Sequence, residues 1–75
     1  MEDLMNILSE LRPDIDFAEE KSLVTNGVFD SFDIISLVAK IDEEFDVKVK
    51  PAHLLPENFD SAEAIWALIE RLEEE

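Results

Sequence analysis

The sequence predicts an all-α fold, a small bundle of three to four helices with a long loop between helices one and two. Apolar residues recur at helical spacing in the opening, central and closing stretches. The only hairpin-like turn signal, Asn26-Gly27, has no clean alternating strand on either side. At 75 residues the chain has room for one domain, residues 1–75, built around one core. A domain of this size buries only roughly 60% of the surface its unfolded chain exposes, so modest stability is expected.

Leu4, Ile7, Leu8 and Leu11 follow the i, i+3, i+4, i+7 pattern of an amphipathic helix. Glu2 and Asp3 suit its N-terminus and Arg12 its C-terminus. Pro13 disfavours helical geometry at Arg12, so the first helix should cover about residues 2 to 12. Residues 13 to 30 then form a long connection, of a length that is usually functional or packed by its own side chains. Ile15, Phe17, Leu23, Val24, Val28 and Phe29 are the residues able to pin it to the core. Asn26-Gly27 holds the only glycine of the chain and marks a turn, with a hairpin as the competing reading.

Asp30-Ser31-Phe32-Asp33 resembles a helix N-terminal cap followed by an acidic first turn. Behind it, Ile34, Leu37, Val38, Ile41 and Phe45 form one apolar face of a second helix. Phe32, Ile35 and Ala39 fall on a neighbouring face that the core does not require. Asp42, Glu43, Glu44 and Asp46 crowd the far end, where negative charge opposes the helix dipole, so something other than helix stability should select them. Val47 to Pro51 should be a short extended exit. A single helical turn is expected around Ala52 to Leu55, limited by Pro56. Asp60 and Ser61 are both good caps for a last helix, and Asp60 with Glu63 makes a pair of capping-box type. Ile65, Leu68, Ile69 and Leu72 give that helix its buried face, to about Leu72.

Composition narrows the function. Twenty Asp and Glu against six Lys and Arg give a formal net charge of −14 at pH 7. Nucleic-acid backbones and anionic membranes would repel such a surface. The 47% hydrophobic content argues against disorder. Acidity on this scale reads either as a solvated surface or as a field that steers docking onto basic patches of partners. The first residues lack the basic and apolar regions of a secretory signal. No stretch approaches the roughly 20 apolar residues of a membrane span. A cytoplasmic chain without membrane insertion is therefore expected.

Catalytic and metal constellations are sparse. With no cysteine and one histidine, thiolate chemistry and the usual zinc centres are excluded. One glycine excludes a Gly-rich phosphate loop, and the acidic runs lack the spacing of a calcium loop. Ser31, His53 and a carboxylate could nominally make a hydrolytic triad, but a few short helices rarely supply its oxyanion hole and pocket. His53 reads instead as a half-exposed residue of the short third helix. No catalytic residue is expected. Ser31 by spacing alone reads first as an N-cap serine. A phosphate attached there would also lie against free backbone N–H groups at the positive end of the helix dipole.

The stretch SLVTNGVFDSFDIISLVAKIDEEFDVKV, residues 22–49, resembles the central segment of the acyl carrier protein family. In that family a long loop leads to Asp-Ser-Leu or a close variant, and an amphipathic helix follows that ends in Glu-Phe and an extended Val or Ile. Here those positions are Asp30-Ser31-Phe32 and Glu44-Phe45. The first, short third and last helices also fall where the family has them, so the resemblance covers nearly the whole chain. It implies that Ser31 carries 4′-phosphopantetheine, transferred from coenzyme A by a phosphopantetheinyl transferase. It implies that Asp30 and Asp33 face basic residues of partner enzymes, and that Phe32, in place of the usual Leu or Met, is an apolar contact. Ile35 and Ala39 match the exposed stripe of the recognition helix, and Glu43 and Glu44 its acidic end.

The function implied is a monomeric carrier that holds acyl or aminoacyl groups as thioesters. Tethering keeps the cargo at high effective concentration, and weak, steered docking lets the carrier leave each partner. The segment VKVKPAHLLPENFDSAEAI, with Lys48, Lys50 and Phe59, is more similar to D-alanyl and other stand-alone carriers loaded by adenylate-forming ligases. A downstream acyltransferase or synthase would then receive the cargo. The alternatives are a carrier of the fatty-acid-synthesis type and an acidic helical adaptor that is never modified.

Overall fold

The computed structural model describes residues 2–74. Helix α1 spans Glu2–Leu11, α2 Ser31–Phe45, α3 Pro56–Phe59 and α4 Ala62–Glu74, with a 3-10 turn at Pro51–His53 and no strand among the described residues. The small all-helical bundle expected from the sequence is the observed architecture. Helix α1 packs on α2 and α4, α2 on α4, and the short α3 on α4.

One core holds these elements together. Leu4, Ile7 and Leu8 of α1 meet Leu37 and Ile41 of α2, and Ala62, Ile65, Leu68 and Ile69 of α4, all buried. Phe45 and Trp66 close the distal end edge to face, with ring centroids 5.8 Å apart, a favoured geometry for aromatic pairs. The loop between α1 and α2 is a core element in its own right, because Phe17, Leu23 and Phe29 are buried together with the helical core residues. Phe17 and Phe29 bring its two ends together, with centroids 5.8 Å apart.

Asn26-Gly27 ends a helical turn instead of joining strands. Asn26 N donates to Ser22 O at 2.8 Å and Gly27 N to Val24 O at 3.0 Å. Gly27 then takes φ +74°, the left-handed conformation that glycine adopts at such ends without penalty.

Two local expectations are corrected. Pro56 does not limit a turn over Ala52–Leu55. The turn falls at Pro51–His53, and Pro56 opens α3 as its first residue. Proline suits that position because its fixed φ matches the helix and its missing N–H would be unpaired there anyway. The second correction concerns Asp60, which does not pair with Glu63 in a capping box. Ser61 caps α4, its Oγ accepting from Ala64 N at 3.1 Å. Asp60 instead holds the long loop: its carboxylate accepts from Val24 N at 2.9 Å, Thr25 N at 2.9 Å and Thr25 Oγ1 at 2.8 Å. Leu23 N adds a bond to Asp60 O at 2.8 Å. Glu63 pairs with Lys21. At the end of α2, Asp42 accepts from Val49 N at 3.1 Å, which ties down the extended exit.

Candidate functional site

The start of α2 is built by two aspartates. Asp30 is the N-cap, with extended backbone, and its Oδ1 accepts from Asp33 N at 2.9 Å. Asp33 reciprocates, Oδ2 accepting from Asp30 N at 3.3 Å, which completes a capping box. Ser31 is thereby relieved of the capping role. It is the first helical residue, exposed, and its hydroxyl makes no hydrogen bond among the described residues. The N–H groups of Ser31 and Phe32 likewise find no acceptor there, as expected of a first helical turn.

Around Ser31 the surface is apolar. Ser31, Ile34, Ile35 and Leu54 line a shallow cleft of about 210 Å³. Phe32 is 75% and Ile35 63% exposed, and Leu54 and Leu55 are also exposed. No helical period marks Leu54 and Leu55 in the sequence; their signal is an adjacent leucine pair between Pro51 and Pro56, where no helical face of useful length can absorb both.

With about 100° of turn per residue, α2 places Phe32, Ile35, Ala39 and Glu43 in one sector of about 80°, and Ser31 lies about 40° beyond its Ile35 side. Ala39 and Glu43 are exposed along it. Glu44 is exposed too, but it points roughly 100° away from Glu43. Asp33 is the most altered member of the expected set. Its side chain is only 14% exposed and is paired with Arg12 at 2.8 Å, whereas Asp30 is exposed beside Ser31.

His53 stands apart from this cluster. Its Nδ1 accepts from Lys50 N at 3.1 Å. The ring lines a different hollow, with Leu68, Arg71, Leu72 and Glu74. A serine-histidine pair is therefore not assembled. Among the described residues, the arrangement offers a primary hydroxyl and N–H donors without partners, beside one exposed carboxylate on an apolar shoulder. Compared with known proteins, the chain matches no family model and no curated protein.

Proposed function

We propose that this protein is a carrier bearing 4′-phosphopantetheine on Ser31, with acyl or aminoacyl groups held as thioesters on that arm. The observation that carries the reading is the division of labour in the capping box. Asp30 caps α2, and Ser31, at the same helix end, has an exposed hydroxyl with no hydrogen-bond partner among the described residues.

The residues present fit the group. A phosphodiester on Ser31 Oγ would meet the N–H groups of Ser31 and Phe32 and the positive end of the α2 dipole. The apolar cleft lined by Ile34, Ile35 and Leu54 lies directly beside the attachment point. When bound, the arm supplies a thiol on a long tether, which the cysteine-free chain lacks. Exposed Phe32, Ile35 and Ala39 with Asp30 and Glu43 form the face offered to a phosphopantetheinyl transferase and to later partners. Those partners are an adenylate-forming ligase that loads the cargo and an acyltransferase or synthase that receives it.

Intact-mass measurement after incubation with coenzyme A and a broad-specificity phosphopantetheinyl transferase tests this directly. One phosphopantetheine per chain is expected on wild type and none on Ser31→Ala. Modification that survives in Ser31→Ala, or a wild type that never gains mass, would overturn the reading. The second outcome favours the unmodified adaptor.

A further inference from the structure

We propose that Arg12 is a positioning residue for Ser31, acting through Asp33, and this inference rests on the carrier reading. From the sequence Arg12 is only a favourable charge at the end of α1. In the structure its guanidinium is a four-way junction. Nε and Nη2 donate to the two carboxylate oxygens of Asp14, each at 3.1 Å. Nη1 donates to Val28 O at 3.3 Å and to Asp33 Oδ2 at 2.8 Å. One side chain therefore ties together the end of α1, both ends of the long loop and the first turn of α2.

The Asp33 contact reaches Ser31. The oxygen that accepts from Arg12 is the same Oδ2 that accepts from Asp30 N, while Asp33 N donates to Asp30 Oδ1. Ser31 sits between the two members of this ring, so its backbone position is fixed by a carboxylate that Arg12 orients. The planar fork of arginine suits several partners in fixed geometry. The pairing also settles which charge is displayed. Asp33 is turned inward and compensated, and Asp30 remains as the carboxylate presented next to the hydroxyl. A nucleophile displaced by about 1 Å can lose about a hundredfold in rate, so the orientation of this turn bears directly on the rate of transfer to Ser31.

A loop clamp without influence on Ser31 predicts a different result in a double-mutant cycle on phosphopantetheine transfer. The variants are Arg12→Gln, Asp33→Asn and the pair, assayed at a temperature where circular dichroism shows each folded. Arg12→Gln should lower kcat of the transferase for this protein by about tenfold, with a smaller change in KM. Asp33→Asn should do the same, and the double variant should be no worse than either single one. Arg12→Lys, which keeps one charged donor for Asp33, should recover more than half of the lost rate. In the unmodified protein, amide exchange at Asp30 and Asp33 should accelerate in Arg12→Gln while Leu37 and Ile41 stay protected.

Unchanged kcat in folded Arg12→Gln, or losses that simply multiply in the double variant, would overturn the inference while leaving the carrier reading intact. A wild type that accepts no phosphopantetheine would overturn the reading itself. If Arg12→Gln does not fold, Asp33→Asn alone decides: a folded Asp33→Asn protein with wild-type kcat would sink the inference.

Discussion

Asp30-Ser31 opens α2 and Asp60-Ser61 opens α4, yet the two dipeptides divide their work in opposite ways. At α2 the aspartate caps and the serine is left exposed as the first helical residue. At α4 the serine caps through Oγ, and the aspartate turns away to hold Val24 and Thr25 of the long loop. The difference comes from what lies within reach. Asp60 lies within reach of three loop donors and bonds them all, and the cap falls to its neighbour. Among the described residues, the Asp30 side chain bonds only the first turn of its own helix. Asp-Ser is thus not a site by itself. It becomes a candidate site where the aspartate takes the cap and the serine hydroxyl has no other task.

If the second dipeptide is an anchor for the loop, the loop must contribute to folding as much as a helix does. The largest stability effect is therefore expected at Leu23, which is fully buried and whose N–H bonds Asp60 O. Leu23→Ala should cost about 2–5 kcal/mol, a large share of the roughly 5–15 kcal/mol that holds an ordinary domain together. Urea denaturation checks this. A midpoint shift equivalent to less than about 1 kcal/mol would mean that the loop lies on the core without supporting it.

The two serines should separate under the same substitution. Ser61→Ala removes a cap and should lower stability by about 1 kcal/mol, or roughly 4–8 °C in melting temperature for a domain of this size. Ser31→Ala removes no side-chain hydrogen bond found among the described residues and should stay within about 0.5 kcal/mol of wild type. Modification should show the reverse, absent in Ser31→Ala and complete in Ser61→Ala. Equal melting temperatures for the two variants would erase the distinction between cap and free hydroxyl.

The helices were readable because their signals are local. The apolar spacing of Leu4, Ile7 and Leu8, and of Ile65, Leu68 and Ile69, is the buried face observed. Phe17, Leu23 and Phe29 were readable as loop anchors because a long connection rich in aromatic and branched residues has nowhere else to put them. Caps were less legible, since an aspartate and a serine side by side can both accept from the same turn and the decision rests on distant donors. Thr25 lies 35 residues from Asp60, and Arg12 lies 21 residues from Asp33. No spacing rule connects such pairs, so the pairing of Asp33 with Arg12 is not visible in the sequence, where Asp33 is one acid of the first turn. The segment between Pro51 and Pro56 is illegible for another reason. Two prolines and no apolar period leave the register of a single turn undetermined until α3 and α4 pack.

The smallest effect expected is in acid, and it isolates the carboxylate that distinguishes the second dipeptide. Hydrogen bonds from the backbone and side chain of Thr25, with a further one from Val24, hold the Asp60 carboxyl below its ordinary value, and partial desolvation opposes them. A carboxylate whose folded-state pKa is depressed stabilises the fold above its unfolded pKa, about 3.9 for aspartate, and loses that contribution as pH falls through the lower folded value. Asp60→Asn can still accept through its amide oxygen from the two backbone N–H groups, but it lacks the charge and the acceptor facing Thr25 Oγ1. Wild type should therefore melt above Asp60→Asn by a constant margin between about pH 5 and 8, and the margin should shrink below about pH 4. Asp14 and Glu63 are also held low, by Arg12 and Lys21. Both remain in the two proteins, so their titration cancels in the difference. Relief of repulsion among the acids common to both proteins largely cancels in the same way. A margin that persists undiminished to pH 3 would show that the loop is held by the shape of residue 60 and not by its charge.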